Sequence, residues 1–146
     1  MKPVLIINGP NLNLLGVREP AVYGSTTLEQ IEEDLLREAK ALGVSLEFFQ
    51  SNHEGALIDR FHAGRGTVSG ALLNAGGLTH TSVSLRDAIT GVGFPVVAVH
   101  LSNTLAREDF RRRDLIAPVC QGLVMGLGPS GYRAALRALV DMLRRP

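Results

Sequence analysis

The segment GALLNAGGLTHTSVSLRDAITGVGFPVVAVHLSN, running from Gly70 to Asn103, decides the fold. It opens on a short aliphatic run over 70–73 and turns through a glycine-rich loop over 74–82. A helical stretch follows over 82–90, with Val83, Leu85, Ala88 and Ile89 inward, and a second aliphatic run over 95–101 closes it. Short apolar runs without alternation are strands buried on both faces. A helix between two such strands makes a parallel crossover.

The same grammar repeats on either side. Val4 to Ile7 is a buried strand. Residues 27–42 read as a helix: Thr26 and Glu29 have capping-box spacing, Leu28, Ile31, Leu35, Leu36 and Ala39 form a stripe, and Gly43 ends it. Val44 to Phe49 is a second strand, and 54–63 a short helix carrying Leu57, Ile58 and Phe61. Arg107 to Ile116 reads as a charged, exposed helix, Gly122 to Leu127 as the fifth strand, and the last helix opens at Ser130 and runs to Leu143. Five strand–helix units predict an α/β, flavodoxin-like three-layer sandwich: one domain over 1–146 with a five-stranded parallel sheet in the order 2-1-3-4-5. In that order the switch point lies between strands 1 and 3, and ligands bind there, outside the carboxyl ends of the strands.

Composition excludes much else. The chain has 146 residues, 45% hydrophobic and 20% charged, enough for one packed core without staples. A net charge of +1 argues against nucleic acid or an anionic membrane as partner. One cysteine, Cys120, permits no internal disulfide and suits a reducing compartment. No apolar run approaches the ~20 residues of a membrane span, and the short run at the start lacks a signal-peptide pattern, so a cytoplasmic protein is expected.

Three loops carry unusual chemistry. The one from Asn8 to Gly24 is far longer than an ordinary strand–helix connection and holds Asn11, Asn13, Arg18 and Tyr23, as a lid or binding loop would. The loop from Asn74 to Ser82 pairs Gly76 with Gly77 and contains His80; paired glycines let backbone amides approach an anion. The fourth strand ends in His100-Leu101-Ser102-Asn103. Other patterns fail on context. Gly126 to Gly131 matches G-x-G-x-x-G but has no following strand, and reads as a tight turn with Ser130 capping a helix. Val17 and Arg18 stand where a Walker motif needs Lys and Ser/Thr, and Leu57 replaces the second histidine of H-E-x-x-H. Arg111 to Arg113 is most simply a solvated face. The lysines, Lys2 and Lys40, sit away from the loops, which disfavours Schiff-base chemistry.

The run INGPNLNLLGVREPAVYG, Ile7 to Gly24, resembles the opening signature of type II 3-dehydroquinate dehydratases. Phe49 to Gly55, Thr79 to Ser82 and Val99 to Asn103 resemble the family's other signatures in the same order, so the resemblance covers nearly the whole chain. It implies a hydro-lyase that converts 3-dehydroquinate to 3-dehydroshikimate by anti elimination through an enolate, in aromatic biosynthesis or quinate breakdown. It further implies no cofactor and no metal, and a homo-oligomer, a dodecamer built of trimers. By position, Tyr23 resembles the base, Arg18 the residue keeping it ionised, Asn11 the holder of an enolate-stabilising water, and His100 the acid. Asn74, Gly77, His80, Leu101, Ser102 and Arg111 fall on substrate-binding positions, Arg107 on a lid-facing arginine, and Asp87 on a residue reaching a neighbouring subunit's site.

The chemistry is coherent. A free tyrosine ionises near pH 10, and lowering that by about three units needs roughly 4 kcal/mol of preferential phenolate stabilisation. A guanidinium in a poorly hydrated loop supplies it without losing its own charge. Two departures from the pattern stand out. The family's Glu two positions before the histidine is Ala98 here, which predicts slower turnover, and the family's Asn-Pro-Gly-Ala-Tyr is Asn74-Ala75-Gly76-Gly77-Leu78, which predicts a looser substrate loop. Two other readings stay open: a ring-carboxylate binding protein without efficient turnover, and an enzyme for a related β-hydroxy-ketone that uses the same Tyr23–Arg18 base.

Overall fold

In the computed structural model, which describes residues 1–146, five parallel strands form one sheet in the order β2-β1-β3-β4-β5. The strands are β1 (Val4–Asn8), β2 (Leu46–Gln50), β3 (Gly70–Asn74), β4 (Val96–His100) and β5 (Gly122–Met125). The helices are α1 (Pro20–Tyr23), α2 (Leu28–Leu42), α3 (Glu54–Gly64), α4 (Val83–Val92) and α5 (Ser130–Arg144). Fold class and strand order are those expected from the alternation of aliphatic runs and amphipathic stretches.

β1, β3 and β4 are buried at every position, as central parallel strands must be when helices cover both faces. Alternate residues feed two cores. Val4, Ile6, Leu72, Val97 and Val99 pack with Leu35 of α2 and with Tyr132, Leu136 and Leu139 of α5. Leu5, Ile7, Ala71, Leu73 and Val96 pack with Leu57 and Phe61 of α3, Leu85 and Ile89 of α4, and Ile116. Truncating one of the fully buried leucines to alanine costs about 2–5 kcal/mol.

The register aligns the strand ends. Asn8 pairs with Gln50 on one side and Asn74 on the other. These residues and His100 are the last of their strands, so the polar positions gather along the sheet's carboxyl edge. The loops there are pressed together: a Cβ on Gly9 would lie 2.7 Å from the carbonyl oxygen of Ala75.

Local details differ from the sequence reading. The capping box lies one residue later, between Thr27 and Gln30, each side chain accepting from the other's backbone N–H. β2 starts at Leu46 rather than Val44. Leu36 and Val83 face solvent rather than the core, since their helices turn the stripe away from them. Ser130 is the first residue of α5 rather than its cap, and its hydroxyl donates to the carbonyl of Leu127. The largest correction concerns 107–116, which is not one helix. A short 3₁₀ turn covers Asp109–Arg112, and the chain then extends so that the N–H of Leu115 bonds to the carbonyl of Thr79 at 2.8 Å. A tertiary backbone bond there replaces the helical ladder. No helix is long and apolar enough to cross a membrane.

Candidate active site

The three loops meet in a cleft of about 190 Å³ at the carboxyl edge of β1, β3 and β4. Asn11, Arg18 and Tyr23 enter from the long loop, Asn74, Gly77 and His80 from the turn after β3, and His100, Leu101, Ser102, Arg107 and Arg111 from β4 onward. Among the site residues that the resemblance implied, Asp87 is the exception. It lies on α4 beside a separate shallow hollow with His62, Arg65 and Ser84, away from its own chain's cleft. Gly76 of the glycine pair lines the cleft with Gly77, and so do Pro10, Leu12 and Thr104, whose residue types do not mark them in advance.

The long loop is shaped before it reaches the cleft. Asn11 sits in the left-handed region at φ 68°, which asparagine tolerates better than most residues. Its N–H donates to Oδ1 of Asn52 at 3.0 Å, and Gln50 donates to the carbonyl of Gly9 at 3.2 Å. The end of β2 therefore fixes where the loop departs. The loop then folds into the one-turn helix α1, which ends on Tyr23.

Two guanidiniums hold Tyr23. Nη1 of Arg107 donates to the tyrosine hydroxyl at 2.8 Å, with its guanidinium carbon 5.2 Å from the ring centroid. Arg18 stacks on the ring at 4.8 Å and pairs with Glu19 at 3.4 Å. The direct hydrogen bond to the phenol thus comes from Arg107, 84 residues away in sequence, and Arg18 reaches the ring face. Arg111 bonds to Glu108 at 3.1 Å. The hydrogen bond from Arg111 is the main cause holding the Glu108 carboxyl below the usual range.

The opposite wall is built by burial. His100 is 7% exposed. Loss of hydration pulls its pKa below the ordinary histidine value; the Asp114 carboxylate pushes it up and His80 pushes it down. His80 donates through Nδ1 to the carbonyl of Arg113 at 2.7 Å, which places its proton and orients its ring. Asn74 is held from beneath the sheet: its Nδ2 donates to the Tyr132 hydroxyl at 3.0 Å, and that hydroxyl donates to Oδ1 of Asn8 at 2.6 Å. Tyr132 is fully buried in α5 and burial raises its pKa far above the usual value, so it stays neutral and acts as a spacer. A tyrosine on an apolar helix face has the pattern of a core residue, so the sequence carries no sign of this role. No group of three or more His, Cys, Asp or Glu side chains is placed to hold a metal ion.

A parallel sheet with a cationic cleft at its carboxyl edge, a tyrosine clasped by arginines and a buried histidine define an acid–base site for a small polar anion. The comparisons sharpen this. Residues 2–140 match the family model described as Dehydroquinase class II, and the chain belongs to that family. It is similar to the 3-dehydroquinate dehydratase of Jannaschia sp. (strain CCS1), 54% identical over 142 residues that cover 97% of this chain and 96% of the relative. The 3-dehydroquinate dehydratase of Bacillus cereus (strain AH820) is 53% identical over 144 residues, covering 99% of each. Among solved structures, the type II dehydroquinase from Butyrivibrio crossotus DSM 2876 superposes with a TM-score of 0.92 at 38% identity, covering 99% of this chain and 98% of its own.

Proposed function

We infer that this chain is a hydro-lyase that dehydrates 3-dehydroquinate to 3-dehydroshikimate, its residues 1–146 forming one catalytic domain. Family membership and the named relatives support the reaction. The observation that supports the residue roles is the clasp on Tyr23, with Arg107 on its hydroxyl and Arg18 on its ring, in the cleft that His100 also lines.

In this reading the Tyr23 phenolate takes a proton from the carbon beside the ketone. The electron pair passes into the carbonyl as an enolate, which Asn11 stabilises through a held water. The enolate then collapses, the carbon–oxygen bond at the β-carbon breaks, and His100 protonates the departing hydroxide. Water and a conjugated enone leave, with Tyr23 protonated and His100 neutral, and solvent resets both. Arg107 on the hydroxyl and Arg18 on the ring put two guanidiniums, neither of which can lose its proton, beside the oxygen where negative charge is carried. Arg111 and the Leu101 and Ser102 amides receive the ring carboxylate and hydroxyls, with Asn74, Gly77 and His80 on the remaining polar groups. The oligomer is part of the proposal: a dodecamer of trimers in which Asp87 of one subunit reaches toward another's cleft, checked by sedimentation. A cytoplasmic, reducing setting suits the single thiol of Cys120, which burial above all pushes up to about 12 and so leaves unreactive.

The test mixes purified protein with 3-dehydroquinate and follows the ultraviolet absorbance of the enone. Product forms with the wild-type chain and falls by about 10²–10⁴-fold in Tyr23→Phe. Binding without product from the wild type would replace this reading with that of a ring-carboxylate binding protein.

A further inference from the structure

The stretch Phe49 to Gly55 resembles a family signature, yet none of its residues lines the cleft. Its hydrogen bonds run instead to the root of the long loop. Gln50 ends β2 beside Asn8 of β1, and Ser51 continues the ladder by donating its N–H to the carbonyl of Asn8 at 3.1 Å. The Gln50 side chain therefore meets the loop where it leaves β1. Its Nε2 donates to the carbonyl of Gly9 and to Oδ1 of Asn52, both at 3.2 Å. That same Oδ1 accepts the N–H of Asn11 at 3.0 Å. The direction of these bonds is fixed at both ends by the backbone. The Asn11 N–H can only donate, so Asn52 must present its oxygen, and the Gly9 carbonyl can only accept, so Gln50 must present its nitrogen.

What the bonds hold is a residue that packing does not. Gly9 is tied on its other side, its N–H donating to the carbonyl of Asn74 at 2.8 Å, and Leu12 and Leu15 are buried in the core. Asn11 between them is exposed, sits at φ 68° and does not cap the turn that follows; its side chain lines the cleft. A residue other than glycine keeps a left-handed backbone only where its surroundings hold it there.

We propose that Gln50 and Asn52 are positioning residues for the enolate step: their paired amides hold the Asn11 backbone in the left-handed conformation that aims its side chain into the cleft. Both act through Asn11 and touch no substrate. A shift of about 1 Å in a group that meets the reacting atoms costs as much as about 10²-fold in rate, so a clamp outside the cleft has leverage on the chemistry. The proposal rests on Asn11 stabilising the enolate of the dehydration.

The test is a double-mutant cycle on the turnover of 3-dehydroquinate. Asn11→Ala lowers kcat by about 10²-fold, the scale for losing one group that stabilises a developing oxyanion. Gln50→Met removes the donated bonds without adding a charge, and lowers kcat by about 10-fold while KM stays within about 3-fold of the wild type. In the Asn11→Ala background the same change costs less than about 2-fold, because no side chain is left to aim. Asn52→Leu repeats the loss seen in Gln50→Met, whereas Asn52→Asp, which still offers an oxygen to both donors, stays within about 3-fold of the wild-type kcat. If Gln50→Met costs as much beside Asn11→Ala as it does alone, the pair serves the fold at large and the proposal is wrong. It is equally wrong if Gln50→Met and Asn52→Leu turn over like the wild type. If Asn11→Ala itself turns over like the wild type, the enolate role of Asn11 fails and the proposal falls with it, a failure that this single variant shows separately from the cycle.

Discussion

The two halves of the cleft are made by opposite means. Tyr23 closes a four-residue helix with no buried residue, at the end of a loop that passes through the left-handed region at Asn11 and Glu19. Its surroundings come from long arms, Arg18 and Arg107, that converge from separate segments. His100 instead ends a strand with every residue buried, and its surroundings come from packing. The difference suits the roles proposed for Tyr23 as base and His100 as acid. A phenolate needs positive charge close to its oxygen, and guanidiniums supply it wherever the loop settles. A proton donor needs a fixed position, but burial weakens the very charge it must carry. In these roles the base half is stabilised by charge and tolerant of exposure, whereas the acid half is fixed by packing.

The largest effects should fall on the base half. Beyond the loss in Tyr23→Phe, Arg107→Gln removes a charge-assisted hydrogen bond to the phenol and lowers kcat by about 10–100-fold, the 1.5–3 kcal/mol range of such bonds. Arg18→Gln removes a contact with the ring face and costs less, about 2–30-fold, in line with cation–π energies of roughly 0.5–2 kcal/mol. Steady-state kinetics of the two variants rank them, and the reverse order would return the phenol's main support to Arg18.

On the acid half and its frame the effects fall on stability. Tyr132→Phe leaves Oδ1 of Asn8 and Nδ2 of Asn74 without their shared partner inside the core and destabilises by about 1–3 kcal/mol in urea unfolding. The freed Asn74 amide should raise KM more than it lowers kcat. The smallest effect is at Ala75, whose φ of −78° already suits proline. Ala75→Pro should stabilise by about 0.4–1 kcal/mol through the unfolded chain, read as a higher urea midpoint at unchanged slope.

How much was legible before the structure follows the same division. Aliphatic runs such as Val4–Ile7 and Val96–Val99 announce buried parallel strands, because central strands need no polar face, and the strand order followed from the compact arrangement of five such units. Cleft residues in the loops were visible because Asn, Arg, His and Tyr at strand ends have no packing reason to be there. What a local pattern cannot show is contact at a distance. The charged stretch 107–116 has the composition of a solvated helix, yet Leu115 pairs with Thr79 and Arg107 turns to Tyr23. Tyr132 supports the site from behind it through Asn74 and Asn8, where it reads as core. Asp87 was read toward a neighbouring subunit, and in the single chain it faces away from the cleft.

The division of labour between the halves is tested most directly by hydrogen exchange. 3-Dehydroquinate is incubated in D₂O with His100→Ala or Tyr23→Phe, and deuterium entering beside the ketone is followed by NMR together with the enone. His100→Ala retains the base, so it should exchange that hydrogen with solvent faster than it forms product. Tyr23→Phe should do neither above the buffer rate. Exchange that persists in Tyr23→Phe and disappears in His100→Ala would contradict the account, because it would place proton abstraction on the buried half of the cleft.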